Sequence, residues 1–115
     1  MNYTPKYTRR WIENLKKYSS LRKSILAKVE KIIENPEQHT REILTGKTNI
    51  RKLNLTGLRS AVVRKKYRII FVLCRDCIDK QLKDQGIFFC GSCQKDKWGI
   101  KFLAFGSHDD AYLMK

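Results

Sequence analysis

Two runs constrain the fold more than anything else in the chain: Tyr67 to Leu73 (YRIIFVL) and Trp98 to Phe105 (WGIKFLAF). Both are dense in β-branched and aromatic residues, which pack well on a pleated surface, so each reads as a strand and the first as a central one. Leu58 to Arg64, which contains Ala61-Val62-Val63, reads as a strand just before it. Arg64-Lys65-Lys66 then forms the turn between the two. Ile87-Phe88-Phe89 suggests a further short strand, and Ile50, Leu53 and Leu55 an extended segment. Residues 36–48 are polar and contain Pro36, Thr45 and Gly46, so they read as a loop.

The first third of the chain has a different period. Trp11, Ile12, Leu15 and Tyr18 fall at helical spacing, and Leu21, Ile25, Leu26, Val29, Ile32 and Ile33 form a stripe at a repeat of about 3.6. Pro5 suits a first helical turn. Ser19 and Ser20 interrupt the pattern and can cap the second helix, and Asn35-Pro36 stops it. Residues 5–35 therefore read as a helical hairpin with an apolar core face, preceded by a short edge strand at Met1 to Thr4. Helices followed by an antiparallel meander give an α+β domain: a two-helix hairpin packed on a twisted antiparallel sheet, expected to occupy residues 1–115 as one unit.

The balance of charge narrows the partners. The chain has 25 Lys and Arg against 11 Asp and Glu, a formal net charge of +14. That is far more than a 13.6 kDa domain needs for solubility. Self-repulsion at this density costs stability, so an anionic partner is expected, nucleic acid first. A merely solvated basic surface is the plainer reading. Clustering argues for the former: Arg59, Arg64, Lys65, Lys66 and Arg68 lie within ten residues. Such a group can hold phosphates and stabilise a developing phosphorane charge. No apolar run reaches the roughly 18 residues of a spanning helix. The segment Met1 to Lys16 lacks the apolar centre of a secretory signal. The expectation is a cytoplasmic protein with no membrane partner.

The four cysteines form Cys74-x2-Cys77 and Cys90-x2-Cys93, with twelve residues between the pairs. Two such loops present four thiolates to one tetrahedral ion, and Gly91 inside the second suits a tight turn. Each pair follows a strand-like run, the layout of a zinc-ribbon knuckle. Structural Zn2+ is expected, in an insertion spanning about residues 74–97; two disulfides or unbridged thiols are the alternative. Four thiolates leave no open coordination position, so such a metal is not catalytic. Lys80, Lys83, Lys95 and Lys97 surround the motif and can make it face RNA.

The chain ends in Gly106-Ser107-His108-Asp109-Asp110-Ala111-Tyr112. A histidine just past a strand can exchange a proton near neutral pH, and Tyr112 can stack on a base. His39 lies in the polar loop and reads as solvent-exposed. A helical hairpin, then Leu44-Thr45-Gly46, then GLRSAVVRKKYRIIFVL (Gly57 to Leu73), then IKFLAFGSHDDAY (Ile100 to Tyr112) together resemble the RelE/ParE toxin superfamily, and the tail looks most like its YafQ branch. The resemblance spans nearly the whole chain outside residues 75–97.

The resemblance implies a metal-independent mRNA interferase, acting on mRNA, often at the ribosome (rRNA), and silenced by a cognate antitoxin protein. It implies attack of a 2′-hydroxyl on the adjacent phosphate to give a 2′,3′-cyclic phosphate. By position, His108 would be the general acid or base, Arg68 would bind the scissile phosphate and Tyr112 would stack on a nucleobase. Arg59, Arg64, Lys65 and Lys66 would position RNA. The sequence departs from the family where Val62-Val63-Arg64 replaces its frequent Arg-Val-Gly, and where Ser107-His108 replaces an arginine after the last strand. A non-catalytic RNA- or ribosome-binding factor and a ParE-like inhibitor of gyrase are the alternatives.

Overall fold

The computed structural model describes residues 3–43, 58–79 and 98–107. Strand β1 (Thr4–Tyr7) is followed by helix α1 (Arg9–Lys17), a 3-10 turn (Ser19–Leu21) and helix α2 (Arg22–Glu34). The rest is strands β2 (Glu42–Ile43), β3 (Arg59–Val63) and β4 (Tyr67–Leu73), helix α3 (Cys74–Asp79) and strand β5 (Gly99–Ser107). The sheet order is β1-β5-β4-β3-β2. Pairings among β2, β3, β4 and β5 are antiparallel, whereas β1 runs parallel to β5. The two helices pack on this sheet, so the expected α+β layering is present, with a mixed edge in place of a purely antiparallel sheet.

Pro5 lies in β1 and not in a helix. Thr4 and Thr8 donate their N–H groups to Trp98 and Phe102 of the β5 side, so the alternating position of Pro5 turns outward, where a missing donor costs the ladder nothing. The helix begins four residues later because Thr8 caps it: its Oγ1 accepts from the Trp11 N–H at 3.1 Å. The two serines do not cap α2. They wind into the 3-10 turn, and Leu21 precedes α2 with no side-chain cap. Asn35 ends α2 as expected, its N–H bonded to the Lys31 carbonyl.

The core is the layer between helices and sheet. Trp11, Ile25, Val29 and Ile32 meet Ala61, Ile69, Phe71, Ile100, Phe102 and Phe105, all buried. Trp11 stands edge-on to Phe105 at 4.7 Å between ring centroids and tilted on Phe102 at 5.1 Å, contacts that add about 0.5–1.5 kcal/mol each beyond area burial. Ile12 and Leu26, expected in the core, are exposed at 49 % and 37 % because they flank the stripe and do not lie on it.

Strict alternation would put Phe102 and Phe105 on opposite faces. A bulge reconciles them. Phe71 pairs with Phe102 and Ile70 with Ala104, so Leu103 is left over. The backbone groups freed there are met from α1: the Thr8 hydroxyl donates to the Leu103 carbonyl at 2.7 Å, and the Phe105 N–H donates to Oδ1 of buried Asn14 at 3.1 Å. Unpaired, each would cost about 1–3 kcal/mol.

Candidate anion-binding site

The β3–β4 connection is the expected basic turn. Arg64, Lys65 and Lys66 are exposed. Arg64 and Lys65 take positive φ, 50° and 65°, the left-handed conformation that matches a tight hairpin's twist and that Gly or Asn usually supplies. With Cβ atoms present, the turn holds on the order of 1–3 kcal/mol of strain per residue. The first residue of this strain-bearing pair and its neighbour are cations, so the chain accepts the cost where it projects charge.

Arg68 lies one step into β4, opposite Val62 on β3 and opposite Gly106 on β5. These three therefore share the face turned away from the core. The Arg68 guanidinium folds back on the turn and donates to the carbonyls of Lys65 (3.2 Å) and Tyr67 (3.3 Å), which fixes the head group against the hairpin. Gly106 has φ 151°, and its missing Cβ keeps the neighbourhood of Arg68 open. An open depression of about 280 Å³ results, lined by Arg41, Val62, Lys65 and Arg68.

Arg41 was not singled out by the sequence. Nothing local marks it: it sits in a polar stretch after Thr40. Its role comes from a long-range contact, the bond from its N–H to the Ser60 carbonyl at 2.7 Å, which docks the end of that stretch on β3. Among the described residues no carboxylate forms an ion pair with Arg41, Arg64, Lys65, Lys66 or Arg68.

Arg59 goes elsewhere. It is 8 % exposed, and its Nε donates to Asp76 Oδ2 at 2.8 Å while Nη1 donates to the Thr40 hydroxyl at 3.2 Å. It points with the core face of β3, two residues from Ala61, and its charge is spent on α3. The structure thus brings together Lys65 and Arg68, adds Arg41, keeps Arg64 and Lys66 beside them on the turn, and separates Arg59.

His39 is half-buried and not fully exposed, because Lys28 Nζ donates to its Nδ1 at 3.3 Å. Burial first, then Lys28 and Lys31, holds its pKa below the usual histidine value. His108 and Tyr112 lie outside the described residues. Strand β5 ends at Ser107, paired with Tyr67 beside the basic turn. Cys74 opens α3, so the first CxxC is on a helix and not in a knuckle turn. The side chain of Cys77, and Cys90 and Cys93 altogether, lie outside the described residues, as do the extended segment at Ile50 to Leu55 and the strand at Ile87 to Phe89. Among the described residues no three metal-ligating side chains cluster, and no helix is long and apolar enough to cross a membrane.

No model of a known protein family and no curated protein sequence matches the chain. Among solved structures, the toxin–antitoxin complex RelBE2 from Mycobacterium tuberculosis is similar, with a TM-score of 0.57 over 94 % of this chain and 100 % of that chain. The fold is RelE-like. At 14 % identity the likeness extends to the fold alone.

Proposed function

We propose that the protein is the toxin of a toxin–antitoxin pair and cleaves mRNA, in association with the ribosome. The observation that carries this reading is the open cationic depression of Arg41, Lys65 and Arg68, set on a RelE-like fold in a chain of net charge +14. Three cations that pair with no carboxylate among the described residues form a seat for a phosphodiester. The pinned Arg68 guanidinium is preorganised, so little reorganisation is needed when charge builds on the nonbridging oxygens.

The reaction follows from that seat. A 2′-hydroxyl loses its proton to a base and attacks the adjacent phosphorus. The phosphorane collapses, the P–O5′ bond breaks, and the departing oxygen takes a proton, leaving a 2′,3′-cyclic phosphate and a 5′-hydroxyl. Lys65 and Arg68 stabilise the oxygens. His108, the residue after Ser107, is assigned the proton transfers, and Tyr112 the stacking on a flanking base. The partner that silences the toxin is an antitoxin whose acidic segment lies over the same depression, as charge complementarity favours.

A reporter mRNA in a translation reaction tests this, with 5′ ends mapped for the wild type, His108→Ala and Arg68→Ala. Discrete cuts by the wild type, lost in both variants, are expected. Intact mRNA under conditions where a known interferase cuts it would end the nuclease reading.

One observation favours a second reading. Among the described residues the depression is lined by Arg41, Val62, Lys65 and Arg68, with no histidine and no carboxylate. A factor that occupies RNA or the ribosome without chemistry would need nothing more. It predicts translation arrest by wild type and His108→Ala alike, with no new 5′ ends.

A further inference from the structure

Residues 35–41 carry the chain from the end of α2 back to the edge of the sheet. Pro36 cannot continue a helix, and the Asn35 side chain accepts from the Gln38 N–H at 3.3 Å, so the chain closes into a compact turn. Three elements grip this turn: α2 through Lys28 and His39, α3 through Arg75 and Glu37, and β3 through Arg59 and Thr40. Of the three gripped residues, only Thr40 adjoins Arg41 in sequence.

The Thr40 hydroxyl bonds in two directions at once. Such a group carries one proton and two lone pairs. Its proton goes to the Pro36 carbonyl at 2.6 Å, and a lone pair takes an Arg59 Nη1–H at 3.2 Å. The charged donor polarises the hydroxyl and strengthens the bond that it gives. The Arg59 head group is held in turn by Asp76, 2.8 Å from Nε. Three linked bonds therefore fasten the end of the turn to the sheet. Arg41 is the next residue. Neighbouring side chains of an extended chain leave on opposite sides. Thr40 meets Arg59 on the core side of β3, so Arg41 is delivered to the other face, where Val62 and Arg68 lie. Its own N–H completes the docking on the Ser60 carbonyl at 2.7 Å. With the backbone fixed, only the freedom of the Arg41 side chain, about 2 kcal/mol, is left to lose when an anion binds.

We propose, on the reading of the depression as a phosphate seat, that Thr40 is a positioning residue for that seat: its hydroxyl, held by the buried Arg59–Asp76 pair, places Arg41 beside Lys65 and Arg68. The buried pair thereby reaches the RNA site without touching RNA. Thr40 is the place to cut this link, because replacing Arg59 would also strand Asp76. Thr40→Val keeps the shape of the side chain and removes both of its bonds. Thr40 is half-buried, so the variant should fold.

The full chain is titrated with a short single-stranded RNA over a range of salt, and the Arg41 amide is followed by hydrogen exchange. In the wild type that amide should exchange slowly, as a bonded sheet amide does. Thr40→Val should speed its exchange by about tenfold. The same variant should weaken RNA binding about as much as Arg41→Ala does, by about threefold to tenfold, and lower the slope of log affinity against log salt by roughly one. Thr40→Ser keeps the hydroxyl and should behave as the wild type. Added to Arg41→Ala, Thr40→Val should weaken binding no further, whereas a general loss of structure would weaken it again. Unchanged affinity and slope in Thr40→Val beside a clear effect of Arg41→Ala, additive losses in the double variant, or an unprotected Arg41 amide in the wild type would each overturn the proposal. If the wild type and Arg41→Ala bind RNA alike, the phosphate seat itself fails and the exchange rate decides the positioning: a faster Arg41 amide in Thr40→Val upholds it, and an unchanged one ends it.

Discussion

Two arginines on adjacent strands show how differently the two ends of one hairpin are used. At the α3 end, Arg59 is inside the protein, its guanidinium shared by Asp76 and Thr40. At the turn end, Arg68 braces the hairpin carbonyls and faces an open depression with Arg41 and Lys65. Both are arginines with alternate-face neighbours in a β pattern, and both belong to one basic cluster in the sequence. What separates them is the carboxylate: one end has Asp76, and among the described residues the other has none. The neutralised charge serves the architecture. The charge left over is the charge on which the proposed function draws.

The largest expected effect breaks the neutralised end. Asp76→Ala strands a guanidinium whose side chain is only 10 % exposed, which should cost about 3–5 kcal/mol in denaturant-monitored unfolding. The double replacement Arg59→Met with Asp76→Leu should recover most of that loss, since a buried pair exchanged for apolar groups is often neutral. A loss as large in the double variant as in the single one would show that the pair is not the source.

Next comes the open end. Arg68→Ala should leave the unfolding midpoint nearly unchanged, weaken binding of a short RNA by about tenfold, and reduce the slope of log affinity against log salt by roughly one, as loss of one phosphate contact does. Arg59→Ala should instead unfold the protein more than it alters that slope. If the two variants exchanged roles, the contrast drawn above would fail.

Lys65→Gly should do two opposite things. It relieves a non-glycine residue at φ 65°, and so should stabilise the fold by about 0.5–1 kcal/mol after the entropy of the added glycine is counted. It also removes a cation from the depression and should weaken RNA binding. Stability gained together with affinity lost would identify the turn's strain as serving function.

The smallest effect is in pH. The folded pKa of His39 is lowered by burial and by Lys28 and Lys31. Its contribution to stability is therefore complete above the unfolded value of about 6.5 and is lost as pH falls through the lowered folded value, because the unfolded chain binds the proton more readily. His39→Gln should flatten the acid side of the stability profile and leave the alkaline side alone.

Much of this molecule was legible in its residues, for reasons that differ by element. YRIIFVL became β4 because its composition, its basic turn and the strand before it all agree. The α2 stripe held because Ile25, Val29 and Ile32 recur at the helical period. Pro5 misled because proline suits both a helix start and an outward position on an edge strand, and only the pairing with β5 decides between them. The faces of Phe102 and Phe105 were hidden by the bulge at Leu103, which no local signal announces. Arg59 and Arg41 traded places in the candidate site for the same reason: each is assigned by a partner far away in sequence, Asp76 in one case and the Ser60 carbonyl in the other.

The parallel pairing of β1 with β5 sets a timetable. The Thr8 hydroxyl that supports the Leu103 bulge is made 95 residues before its acceptor. During synthesis α1 and α2 can form early from local contacts, but Trp11 has neither Phe102 nor Phe105 to rest on until the last strand has left the ribosome. The Arg68 side of the sheet, completed by Gly106, thus cannot assemble before β5 has been made.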